Sequence, residues 1–197
     1  MSTMLTIASP SIPDVDEYYM EIALAVRKKA NCRGSRVGAV IVQENRIVST
    51  GYNGTPEGMT NCLDGGCYRC ANKKEYPSGT GYDLCICVHA EQNALLSAAR
   101  FGIRLEGAIA YTTIQPCFGC MKEMLQVRIH QVHYLHAWQP TAGPKKAEYD
   151  KLSNRFPGGV KRVQIADPDG PGVVPQATQS DEVPTDEHGH QTQGPGA

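Results

Sequence analysis

The sequence has no apolar run approaching the roughly 20 residues that a membrane-spanning helix needs, so no bilayer span is expected. Its N-terminus lacks a basic segment followed by an apolar one, so no secretory signal is expected and the protein should be cytoplasmic. An excess of charge of either sign is also missing, since 19 Lys and Arg stand against 20 Asp and Glu for a formal net charge of −1. Without a basic field there is little to hold long nucleic acid by counterion release, and a small substrate suits the chain better than a polymer. What is present is enough for one core: 197 residues, 41% of them hydrophobic, make one domain and leave little room for a second. Eight cysteines are present, and in a reducing compartment they read as metal ligands or thiols rather than disulfides.

Along the chain, residues 1–13 form a short lead of small and polar residues, expected to fray. Asp14 with Glu17 resembles a capping box, and Val15, Tyr18, Ile22 and Val26 recur at helical spacing, which predicts a helix to about Ala30. Two β-branched runs, 38–43 and 46–52, flank the turn-prone Glu44-Asn45 and predict an antiparallel hairpin whose nearly all-apolar first strand is central. Residues of about 53–85 carry many Gly, Pro, Asn and Cys with no sustained period, an insertion too long to be an ordinary connection. A helix over 89–99, a strand over 108–113, a helix over 117–127 and a strand over 130–136 follow, with a further helix near 145–155 and a strand over 160–165. This alternation predicts parallel strands covered by helices, beside the antiparallel hairpin. Residues 14–166 are therefore expected to be one folded domain, and 167–197, with almost nothing to bury, a disordered Pro/Gly/Gln-rich tail.

The chemistry is concentrated in His89-Ala90-Glu91 and Pro116-Cys117-Phe118-Gly119-Cys120. A catalytic zinc takes three protein ligands and leaves a position for water, whereas a structural zinc is closed by four. Two sulfurs at Cys-x-x-Cys spacing on the start of a helix can share one ion, and a His from another element makes a third ligand. Glu91, two residues after the His, is placed to reach water without coordinating the metal and to act as proton shuttle. A redox-active Cys-x-x-Cys or a closed zinc knot is the competing reading, and Pro116 together with the nearby Glu91 argues against both. His-x-Glu followed by Pro-Cys-x-x-Cys is the known signature of zinc nucleobase deaminases.

Together with residues 37–42 (VGAVIV), residues 51–56 (GYNGTP) and Asn93-Ala94, these motifs closely resemble the deoxycytidylate (dCMP) deaminases. By motif order the likeness runs from roughly Asp14 to Ile165, although only the quoted blocks are specific. The resemblance implies a cytidine-deaminase-like fold, a three-layer α/β/α sandwich around a five-stranded mixed sheet. It implies hydrolytic conversion of dCMP to dUMP and ammonia, with zinc on His89, Cys117 and Cys120, proton transfer by Glu91, and backbone amides at Ala90 and Cys117 near the base. Asn53 is similar to the family residue that bonds the sugar, although an Asn beside Gly54 can also simply fill a left-handed turn position. Tyr134 and Trp138 are the candidates for a stacking ring, and Arg36, with Ser35 and Arg33, for the 5′-phosphate. The family also implies a homo-oligomer, often a hexamer, with dCTP and dTTP as effectors accompanied by Mg2+.

Six further cysteines precede the catalytic motif. By resemblance, Cys32, Cys62 and Cys87 match ligands of a second, structural zinc, with the fourth open among Cys67, Cys70 and Cys85. Alternatively Cys67, Cys70, Cys85 and Cys87 form their own tetrathiolate site, with Cys32 and Cys62 left as thiols or recruited to a second ion. Two other functions compete with dCMP deamination. One is deamination of another cytosine or modified pyrimidine nucleotide; tRNA-acting relatives would be expected to show a basic face, which the balanced charge disfavours. The other is a non-catalytic zinc-stabilised binding module, against which an intact Glu91 speaks.

Overall fold

The computed structural model describes residues 12–76, 79–140 and 142–171. Its sheet has five strands in the order β2-β1-β3-β4-β5. The strands are β1 (Gly38–Gln43), β2 (Arg46–Tyr52), β3 (Ile109–Ile114), β4 (Gln131–His136) and β5 (Val160–Arg162). β1 runs antiparallel to both β2 and β3, while β3, β4 and β5 are parallel. Helix α1 (Val15–Arg27) covers one face, where Tyr19, Met20 and Ala23 pack on Val40, Val42, Tyr111 and Leu135. α3 (Ala90–Arg100), α4 (Phe118–Gln126) and α5 (Pro144–Ser153) cover the other, around Ala39, Ile41, Ala110 and Val132. The result is the three-layer α/β/α sandwich with a mixed five-stranded sheet. Among the described residues no helix is long and apolar enough to cross a membrane.

Local chemistry accounts for the element boundaries. The Asp14 carboxylate accepts from the backbone N–H groups of Asp16 and Glu17, and Glu17 reaches back to the Asp14 N–H, a complete capping box. The helix stops at Arg27, three residues before the sequence expectation. From Lys28 to Ala30 the N–H groups turn to carbonyls three residues back, which tightens the chain into a terminal turn. Glu44 and Asn45 both have positive φ, 50° and 59°, as a two-residue hairpin that matches the strand twist requires. The insertion, whose sequence has no sustained period, contains a 3-10 turn (Cys62–Asp64) and the one-turn helix α2 (Tyr68–Ala71).

β2 lies unusually close to α3. A Cβ at Gly51 would sit 2.1 Å from the Ala90 carbonyl oxygen and 2.4 Å from the Ala94 nitrogen, so only glycine allows this approach. Beside it the Ser49 hydroxyl donates to the Ala94 carbonyl at 2.6 Å.

The folded part runs further than expected from composition. Asp167, which falls in the expected tail, has its side chain buried, 3% exposed. Its two carboxylate oxygens each accept from the Arg27 guanidinium at 2.7 Å, and His136 Nε2 lies 2.7 Å away. Arg27 also donates to the Gly170 carbonyl at 2.9 Å. The domain edge placed at residue 166 therefore moves to at least Gly170, because one buried ion pair anchors a segment that otherwise has little to bury. Residues 1–11 and 172–197 lie outside the described residues, and with them most of the expected lead and tail.

This clasp has a measurable signature. Burial alone would raise the Asp167 carboxyl, but hydrogen bonds from Arg27 and His136 and the Arg27 charge outweigh it and bring it to about 2, below its ordinary 3.8. A carboxyl depressed in the folded state contributes stability that is present above its unfolded value and lost as pH falls through the folded one. The contribution is thus complete near neutrality and disappears as pH drops from about 4 to 2. Asp167→Asn, which leaves the buried Arg27 guanidinium only the exposed Asp169 carboxylate 3.6 Å away, is expected to cost on the order of 3 kcal/mol in urea unfolding at pH 7. The difference from the parent protein should narrow below pH 4. A cost that is the same at pH 3 and pH 7 would contradict the ion pair.

Candidate metal centre and active site

The site is built where α3 and α4 present their N-termini beyond the carboxyl end of β3. His89 is the N-cap of α3 and Cys117 the N-cap of α4, both in extended backbone. The helix expected over 89–99 would include His89 in its first turn; as the cap residue it stands just outside. Cys120 lies in the first turn of α4, so both sulfurs occupy the helix terminus that favours negative charge. The Pro116 carbonyl accepts from the buried Tyr149 hydroxyl at 2.7 Å, which fixes the turn from β3 into α4. The two helices are tied to each other by Gln92, whose Nε2 donates to Glu123 at 2.9 Å and whose Oε1 accepts from the His89 N–H at 3.0 Å.

The donor atoms converge. His89 Nδ1 lies 3.4 Å from Cys117 Sγ and 3.5 Å from Cys120 Sγ, and the sulfurs are 3.6 Å apart. Zn–S bonds of about 2.3 Å and Zn–N bonds of about 2.05 Å imply tetrahedral edges of roughly 3.8 Å between sulfurs and 3.6 Å between nitrogen and sulfur. The three residues fit one Zn2+ with its fourth position open. The Cys117 thiol is brought down to about 4, chiefly by hydrogen bonding with Cys120 and, against the cost of burial, with His89. Glu91, the second residue of α3, is only 4% exposed, and burial pushes its carboxyl up to about 7. Its side chain, with His89, Ala90 and Cys117, lines a cavity of about 360 Å³.

A family pattern, the cytidine and deoxycytidylate deaminase zinc-binding region, matches residues 13–136, which contain the whole of this site. The chain belongs to that family.

Among its deaminase relatives, the deoxycytidylate deaminase of Schizosaccharomyces pombe is 45% identical over 122 residues, 62% of this chain and 37% of the relative. That of Saccharomyces cerevisiae is 40% identical, over 64% of this chain and 39% of the relative. The chain thus spans well under half the length of these yeast deaminases. The deoxycytidylate deaminase of Mycobacterium phage D29 is 39% identical, and there the match covers 96% of the relative. In structure, the chain resembles the dCMP deaminase of cyanophage S-TIM5, crystallised with dCMP and dUMP. The TM-score is 0.58 at 26% identity, over 78% of this chain and all of that one.

The cavity gathers some of the residues expected from sequence and leaves out others. Ser35, Asn53, Ala90 and Trp138 line it. Asn53 does not occupy a left-handed turn position, because its φ is not positive. Its side-chain amide instead accepts from the Val37 N–H at 2.8 Å and donates to the Ser35 carbonyl at 2.6 Å, which shapes the cavity wall. Arg36 is absent from the lining. It falls between Ser35 and Val37, both of which line the cavity. Tyr134 is absent too, since it is held within β4 opposite Thr112 and Arg162, two residues short of the strand end at His136. Trp138 packs edge to face on Tyr149, with ring centroids 6.0 Å apart.

In place of Arg36 and Tyr134 the cavity has Arg69, Lys73, Tyr76 and Tyr82, all from the cysteine-rich insertion. None of the four is among the residues expected from sequence, although the mixture of basic and aromatic residues in this segment is a usable signal. Arg69 lies over the Tyr82 ring at 5.4 Å and donates to the Thr80 carbonyl, and the Tyr82 ring meets that of His89 at 84° with centroids 5.4 Å apart. The insertion therefore forms one wall of the site. A bridge between Gly54 and Val88, with Val88 N–H to Gly54 O at 2.9 Å, joins the turn after β2 to the run into His89.

Of the six other cysteines, five are buried together and the half-buried Cys85 packs against them. Cys32, Cys62, Cys70 and Cys87 place their sulfurs within 4.8 Å of one another, so of Cys67, Cys70 and Cys85 it is Cys70 that gathers with those three. Cys67, Cys70, Cys85 and Cys87 meet the same condition. None of the six is in a disulfide.

Proposed function

We propose that the chain is a zinc-dependent aminohydrolase that converts dCMP to dUMP and ammonia. The observation that carries the reading is the open three-ligand set of His89, Cys117 and Cys120 with a buried, non-coordinating Glu91 beside it in one cavity. His89 Nδ1 and the two sulfurs would hold the ion, which when bound supplies the Lewis acidity that makes a water acidic near neutral pH. Glu91 takes the proton of the water that attacks C4 and delivers it to the departing amine, and its desolvated carboxyl, raised to about 7, suits both halves of that transfer. The backbone N–H groups of Ala90 and Cys117, at the starts of α3 and α4, are the donors for the base. Asn53 faces the sugar, and the half-buried Trp138 is the aromatic candidate that remains. A cavity of about 360 Å³ is at the lower end of the range for small-molecule sites. Its positive charge comes from Arg69 and Lys73, which with Ser35 are the groups for the 5′-phosphate.

The substrate is supported by the deoxycytidylate deaminases to which the chain is similar. Incubation with dCMP, CMP, dCTP and deoxycytidine, followed by ammonia release and ultraviolet change, tests it. We expect dCMP to be turned over fastest; no turnover of dCMP, or faster turnover of deoxycytidine, would overturn the assignment. The same family reading extends to a cytoplasmic homo-oligomer regulated by dCTP and dTTP with Mg2+. Repeating the dCMP assay with each triphosphate, alongside a measurement of mass in solution, tests regulation and assembly.

A further inference from the structure

The six cysteines outside the catalytic set offer two groups of four sulfurs, and the groups overlap in Cys70 and Cys87. Two separate tetrathiolate ions would need eight sulfurs where six exist. A single ion in the first group leaves Cys67 and Cys85 without a role, although their sulfurs are 3.8 Å apart and Cys85 lies 3.7 Å from Cys70. A single ion in the second group leaves Cys32 and Cys62, although Cys32 lies 3.8 Å from Cys70. These separations fall at the tetrahedral edge of about 3.8 Å that Zn–S bonds of about 2.3 Å dictate. Ordinary contact between buried thiols can set one pair at such a distance. It does not gather two interlocking groups of four with every sulfur within 4.8 Å of the others in its group.

We propose that these six cysteines hold two zinc ions in one binuclear cluster, with Cys70 and Cys87 as bridging ligands. Cys32 and Cys62 complete the coordination of one ion, and Cys67 and Cys85 that of the other. On loading, each thiol gives its proton to solvent and its sulfur binds metal. Six thiolates and two Zn2+ leave two negative charges, no more than four thiolates leave around one ion. Main-chain donors already point at the terminal sulfurs: the Arg33 N–H lies 3.2 Å from Cys62 Sγ and the Gly34 N–H 3.3 Å from Cys32 Sγ.

The placement gives the cluster a structural task. It joins the segment after α1, the 3-10 turn, α2 and the run into α3, parts of the chain that otherwise bury few apolar side chains against the core. Cys32, Cys70, Cys85 and Cys87 line the same cavity as Glu91, and Cys87 stands two residues before His89. One bridging ligand therefore sits next to a ligand of the catalytic set.

Elemental analysis of the intact chain purified in the presence of zinc is expected to find three zinc ions per chain. Two would overturn the proposal, since they leave one for the thiol group. With 113Cd in place of zinc, the two cluster ions should give separate all-thiolate resonances that are scalar-coupled to each other through the bridging sulfurs. Two uncoupled resonances would also overturn it. Replacing the catalytic ligands His89 and Cys117 with alanine should remove one ion and leave the coupled pair intact. A chain with three ions and no turnover of dCMP would sink the substrate assignment and leave the cluster standing, whereas turnover with two ions would do the reverse.

Discussion

Glu91→Ala is expected to lower kcat on dCMP by about 10²–10⁴-fold or more while leaving the zinc content at its full value. The expectation rests on position. Glu91 is the second residue of α3, beyond His89, and is not part of the convergent set of Nδ1 and two Sγ atoms, so its loss removes no metal ligand. It is also buried, and a buried carboxyl is costly to ionise without a compensating partner. A residue kept in that state for packing alone could be replaced with little effect on rate. The variant should fold at least as firmly as the parent, because a desolvated acid has been removed. Steady-state kinetics, elemental analysis and thermal unfolding on one preparation separate the outcomes. Activity within tenfold of the parent would refute the proton-transfer role, and loss of zinc would show that Glu91 acts through the metal site instead. Glu91→Gln, which keeps the shape and loses the titrating oxygen, should be impaired as strongly as the alanine variant.

Gly51→Ala is expected to destabilise the fold by about 3 kcal/mol or more, a large effect for one methyl group. The added carbon would meet the Ala90 carbonyl at 2.1 Å and the Ala94 nitrogen at 2.4 Å. Neither obstacle is a side chain that can rotate away, so relief requires β2 and α3 to move apart. α3 carries Glu91 and begins at His89, so the same displacement should disturb the metal centre and lower activity in the molecules that still fold. Ser49→Ala is the natural control, since it removes only the hydrogen bond to the Ala94 carbonyl and should cost about 1 kcal/mol. Urea midpoints for the two variants would settle the matter: a Gly51→Ala cost no larger than that of Ser49→Ala would mean that the close approach is not a constraint.

The parts of the molecule that could be read in the sequence are those in which the information is local. Glu44-Asn45 demands a tight turn, so the hairpin follows from two residues. Asp14 and Glu17 cap each other across one helical turn. Cys117 and Cys120 are one turn apart on the same helix, and His89 is two residues from Glu91, so spacing alone brings each pair to one place. Where partners are far apart in the chain, legibility fails for a physical reason. Nothing in a Pro- and Gly-rich segment indicates that Asp167 will find Arg27, 140 residues away, because the pairing is made by the tertiary fold. Closeness to β1 points equally to Ser35, Arg36 and Val37, and the sequence does not say that Ser35 and Val37 line the cavity while Arg36 does not. Arg69 and Lys73 were overlooked because the insertion has no periodicity from which to place a side chain. Its path is set by where six sulfurs meet, and the order of those sulfurs along the chain does not reveal which of them will be shared.

The central pairing of the sheet has a consequence for how the molecule forms. β1 sits between β2, its immediate neighbour in the chain, and β3, whose Ala110 pairs with Ile41. The hairpin can close early, but the strand that completes the core lies about 70 residues further along, on the far side of the cysteine-rich insertion. Closing so long a loop must precede the contacts that reward it. A connection between Cys32 and Cys87 through shared metal would shorten the span left to search to a few short arms. Zinc bound by these cysteines rather than by the catalytic set would then act on the speed of refolding before it acts on anything else, and the chain would reach its native sheet more slowly in a chelator than in zinc.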